Sequence, residues 1–314
     1  MQNVSSAGKS AEAGNHPGDC SHAPPIGVWI AVGFLTLAVV LLPYPSYLAS
    51  SRDSTFAAEN IRRIREFAAG RPGAHSVIMI GSSALHSGTF YDNKMDAFAA
   101  SNGCPGVRFL RISQRGTGFR QTESVLTPAL LAKPDLIVIQ ADVLLTDSTP
   151  TPYPVYLSDT LRSALSMTLG HKRPHRPNLL DDLDLEIEPE QHDAAFGRYA
   201  KALRERLTSP GPGRDKVASF LLRARRAGVR VAIVEMPRPE KVGSLIASIG
   251  DATYKAEQAW LTGSDLASHM NCPDQFQLDQ FRDFIHLNNE GRARFAAWLV
   301  VAIRKELAGG SNGK

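Results

Sequence analysis

Hydrophobic positions along this chain fall into three patterns. A first run, IGVWIAVGFLTLAVVLL over residues 26–42, is apolar at nearly every position and carries no charge. Further on come four short runs that are apolar on successive residues: SVIMIG (76–81), VRFLRIS (107–113), DLIVIQA (135–141) and VRVAIVEMP (229–237). Such runs predict strands covered on both faces, which is the habit of parallel sheets. Between them the apolar residues recur at helical spacing, predicting helices over roughly 88–101 and 120–132 and a pair from about 194 to 227. An earlier helix, capped by Ser54 or Thr55, should run to about Ala69, where Gly70, Pro72 and Gly73 stop it. The last helix should run from Asn288, its N-cap, to about Leu307. Phe295, Trp298, Leu299, Ala302, Ile303 and Leu307 would form its buried stripe.

Strands alternating with helices make the expected fold class α/β, a three-layer α/β/α sandwich on a parallel sheet. The predicted organisation is a polar leader (1–25), a transmembrane helix (26–42), a linker and helix (43–75), a main domain (76–308) and a flexible tail (309–314). Within the main domain the pattern breaks down at about 146–193, through TDSTPTPYP, HKRPHRP and LLDDLDLEIEPEQHD. That length exceeds an ordinary connection and reads as an insertion or lid. His171 and His175 lie in it, flanked by Arg and Pro, and fit a solvated loop better than a metal site.

The run at 26–42 is near the lower limit of roughly 17–25 residues for a spanning helix. Pro24 and Pro25 precede it, Pro43 and Pro45 follow it, and Trp29, Tyr44 and Tyr47 suit membrane interfaces. The leader is long for a signal peptide, and only Ala49-Ser50-Ser51 offers a weak cleavage site, so an uncleaved single-pass anchor in the lipid bilayer is the expectation. Its orientation is in conflict. Lys9 alone precedes the run, whereas Arg52, Arg62, Arg63 and Arg65 follow it, which by the positive-inside count keeps the body in the cytoplasm.

A net charge of +4 spread among acidic residues gives no basic face for nucleic acid, and none is expected as a partner. Three cysteines are too few for a disulfide framework. Cys104 and Cys272 either pair or remain two buried thiols, and no spacing suggests a metal or other cofactor.

Candidate chemistry lies at both ends of the main domain. Gly81-Ser82-Ser83 closes the first strand, where ligands of parallel sheets bind. A serine there needs a base, and the base an orienting group. About 200 residues on, Asp283 and His286 stand one helical turn apart before the last helix and can fill those roles. Ser82, Ser87 and His86 share the first loop as rival nucleophiles and base.

With VIMIGSSALHSG at one end and DFIHLNNEGRARFAAWL at the other, the chain resembles the SGNH (GDSL-type) hydrolase superfamily. The resemblance implies a flavodoxin-like sheet, with Ser83 as nucleophile, His286 as general base and Asp283 as its partner. It also implies an oxyanion hole from the amides of Ser83 and Gly116, the latter in RISQRGTGF, with Asp142 in IQADVLL where the family has a donating Asn. An ionised carboxylate cannot donate, so Asp142 departs from the pattern. Ser82 departs too, standing in the family's Asp position. Arg115 and Arg120 either meet an anionic sugar or are solvated.

Similar Gly-Ser-Ser turns in membrane-anchored members imply an inner-membrane protein with a periplasmic C-terminal domain. It would act as an esterase or O-acyltransferase on acetyl or other acyl esters of an envelope polysaccharide, with envelope acyl-transfer machinery as a partner. A lipid esterase or thioesterase and a non-catalytic subunit of a polysaccharide-modification complex are the alternatives. Aliphatic crevice walls would favour lipid, aromatic platforms and polar rims sugar.

Overall fold

The computed structural model describes residues 25–41, 52–70, 73–114, 117–147, 157, 192–208, 211–249 and 252–309. The chain divides into two units, Met1–Leu48 and Ala49–Lys314.

Within the first unit, α1 (Ile26–Leu41) is a helix of 16 residues. It is apolar all round, and its one hydroxyl, on Thr36, turns back to the Val32 carbonyl at 2.8 Å. At 1.5 Å per residue the described part of this helix is about 24 Å long. Among the described residues no helix is long and apolar enough to cross a membrane, so the predicted spanning helix does not appear as such.

The second unit is built on a parallel sheet. In chain order its elements are α2 (Arg52–Ala68), β1 (His75–Ser82), α3 (Ser83–Gly88), α4 (Asp92–Ser101), β2 (Val107–Gln114), α5 (Phe119–Leu131), β3 (Leu136–Gln140) and α6 (Ala141–Leu145). There follow α7 (His192–Thr208), α8 (Arg214–Arg226), β4 (Arg230–Val234), α9 (Glu240–Ile249), α10 (Ala252–Gly263), β5 (Ser268–Met270), a 3₁₀ turn (Leu278–Gln280) and α11 (Asn289–Gly309). Strand order is β2-β1-β3-β4-β5, with every pairing parallel. The chain thus leaves β1 toward β2 on one side and β3 on the other. The resulting reversal opens a crevice at the carboxyl ends of β1 and β3.

Alternation along the strands sends side chains to two separate cores. Ile78, Ile80, Ile112, Ile137, Ile139 and Ile233 pack against α5, α8 and α10. Met79, Phe109, Val138 and Val234 face α3, α4 and α11, whose Phe295, Leu299 and Ile303 are fully buried. A sheet covered on both faces is why the strands read as unbroken apolar runs. Asn288 caps α11 as expected, its Oδ1 accepting from the Gly291 amide at 3.0 Å.

Several elements depart from the sequence reading. β5 was not anticipated, because Ser268-His269-Met270 is too short and polar to show a strand pattern. The helix expected over 88–101 starts later, as α4 at Asp92, after a Thr89–Tyr91 turn, and the short α3 before that turn carried no prediction. α9 and α10 fill a stretch that carried no prediction. Arg62 and Arg63 belong to α2, where they pair with Glu66 at 2.5 Å and Asp92 at 2.7 Å. Cys104 and Cys272 are free thiols, the first buried. His171 and His175, and nearly all of the 146–193 insertion, lie outside the described residues.

Candidate active site

The turn from β1 into α3 is set by three contacts on Ser82. Its amide and hydroxyl both donate to Gln140 Oε1, at 2.9 and 3.0 Å, and its Oγ accepts from the Ala84 amide at 3.2 Å, capping α3. Ser82 is therefore the N-cap, and Ser83 is the first helical residue. An amide in that position has no acceptor within its own helix. Gly81 is needed here for space and not for a left-handed backbone. A Cβ on it would lie 2.5 Å from Leu85 Cβ and 2.9 Å from Gln140 Oε1.

At the other end of the domain, Asp283 organises the loop before α11. Its Oδ1 accepts from the amides of Ile285 and His286, at 2.8 and 2.7 Å. The three-residue spacing follows from this: the carboxylate that caps the turn is the one that reaches the ring. Asp283 Oδ2 lies 2.5 Å from His286 Nδ1, and His286 Nε2 lies 2.9 Å from Ser83 Oγ. A carboxylate accepts only, so Nδ1 carries the ring proton and Nε2 is left as acceptor for the serine hydroxyl. Burial pushes the Asp283 carboxyl up, but hydrogen bonds and charge from His286 and the amides of His286 and Ile285 outweigh it, holding the pKa below the usual carboxylate range.

The two chain segments are also stitched directly. Ser87 Oγ donates to the Ala84 carbonyl and accepts from the Leu287 amide at 3.2 Å, and Arg292 Nε donates to the Ser87 carbonyl at 2.9 Å. Ser87 is thus a strut and not a nucleophile candidate. His86, the rival base, has its Nδ1 3.1 Å from Ser113 Oγ. Its pKa is lowered to about 3, first by burial and then by the charges of Arg111, Arg292, Arg282 and His286. An imidazole so weakly basic is a poor proton acceptor at neutral pH.

Asp142 does not sit as a donor. Its Oδ1 accepts from Arg238 Nη2 at 2.5 Å and its Oδ2 from Gln140 Nε2 at 3.1 Å. Burial pushes this carboxyl up, but Arg238 foremost, then Arg206 and the hydrogen bonds of Arg238 and Gln140, pull its pKa down to about 2. It is a carboxylate throughout the working range and has no proton to give an oxyanion. Gly116 and Arg115 lie outside the described residues. Arg120 is exposed, its backbone amide donating to Asp147.

Several contributors escaped the sequence reading. Gln140 stands at the polar end of an apolar strand and Arg238 between two prolines, and neither position carries a local signal of its role. The usable signal was the misfit of Asp142, since a partly buried carboxylate calls for a cation on the same rim. Tyr199 of α7 also went unnoticed. It stacks on Phe284 with centroids 6.1 Å apart, and Phe196 meets Phe284 edge-on at 5.0 Å. Burial foremost pushes the Tyr199 phenol up to about 12, with the charges of Arg238 and Arg206 opposing and those of Asp142 and Asp283 adding to it. Beside Asp142 and Arg238 opens a cavity of about 250 Å³, lined also by Glu235, Met236, Tyr254 and Gln258. Among the described residues no group of His, Cys, Asp or Glu is arranged to hold a metal ion.

No family model matches the chain, and no curated protein matches it. Among solved structures it is similar to a GDSL-like lipase from Bacteroides thetaiotaomicron, at 13% identity and a TM-score of 0.40 over 80% of this chain and 98% of that one. It is similar to a lipase/acylhydrolase from Enterococcus faecalis, at 12% identity and a TM-score of 0.38 over 74% and 96%. It is similar also to a catalytic mutant of an acetylxylan esterase from Geobacillus stearothermophilus, at 12% identity and a TM-score of 0.36 over 76% and 96%.

Proposed function

We propose that the protein is a serine acyl-esterase or O-acyltransferase of SGNH type. The observation that carries this reading is the unbroken line from Ser83 Oγ to His286 Nε2 and from His286 Nδ1 to Asp283, at 2.9 and 2.5 Å. Ser83 Oγ attacks the acyl carbonyl while His286 Nε2 takes its proton. The C–O bond to the departing alcohol then breaks, and His286 returns the proton to that oxygen. The acyl group remains on Ser83 until water or a second hydroxyl, deprotonated by the same imidazole, removes it. Asp283 keeps the ring in the required tautomer and stabilises the imidazolium. The Ser83 amide, at the start of α3, is the donor on hand for the developing oxyanion.

A carbohydrate ester is the substrate class in this reading. Its support is the rim, where the half-buried Tyr199 and Phe196, packed on the buried Phe284, offer aromatic faces and Asp142 and Arg238 offer polar groups. An aliphatic channel, which a lipid acyl chain would need, is not what these residues supply. Attachment through α1 to a bilayer, with the body outside the cytoplasm on an envelope polysaccharide, belongs to the same proposal. Its support is the uncharged apolar helix between its flanking prolines.

A fluorophosphonate probe and p-nitrophenyl acetate test the chemistry together. The folded protein should be labelled on one serine and should release nitrophenol, and Ser83→Ala should abolish both. A folded wild-type chain that resists the probe from pH 6 to 9 would leave the non-catalytic subunit as the reading.

A further inference from the structure

We propose that Asp142 is a positioning residue, a two-sided acceptor held by Arg238 that locks the Gln140 amide in the orientation securing the nucleophile's turn. This rests on the reading of Ser83 as nucleophile. The contacts form one chain. Arg238 Nη2 donates to Asp142 Oδ1 at 2.5 Å, and Gln140 Nε2 donates to Asp142 Oδ2 at 3.1 Å. Gln140 Oε1 then accepts from the Ser82 amide and hydroxyl, at 2.9 and 3.0 Å. The Ser82 Oγ in turn accepts from the Ala84 amide. The chain ends on the residues either side of Ser83.

Each link has a single workable orientation. Gln140 is 1% exposed, so water cannot satisfy a misdirected amide. Flipping it would set Nε2 against the Ser82 N–H and Oε1 against the Asp142 carboxylate, two repulsive contacts in place of three good ones. Position 142 must accept on both sides, from a guanidinium and from an amide nitrogen, and only a carboxylate does that. An asparagine would turn its own NH₂ toward either Arg238 or Gln140 Nε2. The departure at position 142 is thereby accounted for: with Arg238 across from it, a donating side chain there would unsettle the turn that carries the nucleophile.

The test uses the full chain, with the second-order rate of fluorophosphonate labelling per folded molecule, kcat and KM on p-nitrophenyl acetate, and the melting temperature. In Asp142→Asn, labelling and kcat should fall about 10- to 100-fold with KM within about 2-fold, the scale expected when a reacting group is slightly misplaced. Asp142→Asn/Arg238→Leu frees the asparagine to present its carbonyl to Gln140, and should recover to within about 3-fold of wild type. Gln140→Leu, which leaves the ion pair intact, should fall by the same factor as Asp142→Asn. In nitrogen-15 correlation spectra the Gln140 side-chain NH₂ signals should shift in Asp142→Asn and return in the double variant. Wild-type labelling rates in folded Asp142→Asn or in Gln140→Leu, or a double variant no faster than the single, would overturn the positioning role while leaving Ser83 as nucleophile. A wild-type chain that is not labelled, or is labelled equally in Ser83→Ala, overturns both.

Discussion

Asp283 divides its work between its two oxygens. Oδ1 is spent on the amides of Ile285 and His286, and Oδ2 on the His286 ring. Asp283→Asn should preserve the first task and ruin the second, because an NH₂ facing Nδ1 forces the ring proton to Nε2. The expected result is a fall in kcat of about 10³–10⁴-fold with little change in melting temperature, measured side by side. His86 gives the opposite kind of test, one of stability. Its folded pKa of about 3 lies below its ordinary 6.5. Between these values the unfolded chain binds a proton that the folded one refuses, so stability falls as pH drops from about 6.5 toward 3. His86→Gln should flatten the melting temperature between pH 7 and pH 4, and a slope equal to that of wild type would refute the assignment. At this scale Ser83, Asp283 and His286 were legible because each lies at a fixed spacing from a turn or a helix start. Gln140 and Arg238 were not, because their meaning depends on β3 and β4 lying side by side.

At the level of the element, the junction of β1 and α3 has little room. Gly81→Ala would place a methyl 2.5 Å from Leu85 Cβ, inside α3, and 2.9 Å from the Gln140 oxygen that holds Ser82. Neither neighbour can withdraw without disturbing the turn that holds Ser83. The variant should lose about 1–3 kcal/mol in denaturant titration, as overpacked sites do. It should also be labelled more slowly by the probe per folded molecule. The central strands were readable because each is buried on both faces. β5 was not, since three residues at the sheet's edge carry too short a pattern, and neither was α3, six residues of helix that follow directly on β1 and end at Gly88. There Arg111, 2% exposed, donates to the His86 and Thr89 carbonyls at 2.9 and 2.7 Å, satisfying the chain where the helix stops.

Over the whole molecule, the two hydrophobic cores are built, among the described residues, from Ala49–Lys314, beginning with Ile64. A chain lacking residues 1–48 should therefore keep its melting temperature within about 2 °C and retain probe labelling. If α1 is the attachment to a bilayer, the full chain should float with phospholipid vesicles and the shortened one should not. Layering and sheet direction could be read from the strand runs, but the order β2-β1-β3-β4-β5 could not, because no local signal states which strands are neighbours. That order is what brings the end of β1 against the segment ahead of α11. The seam between them, through Ser87, Leu287 and Arg292, joins residues 200 and 205 positions apart. A growing polypeptide thus exposes its serine long before the matching imidazole has been translated. On the proposed reading, until α11 emerges and docks the nascent protein holds only an ordinary alcohol, and reactivity is conferred late in its own synthesis.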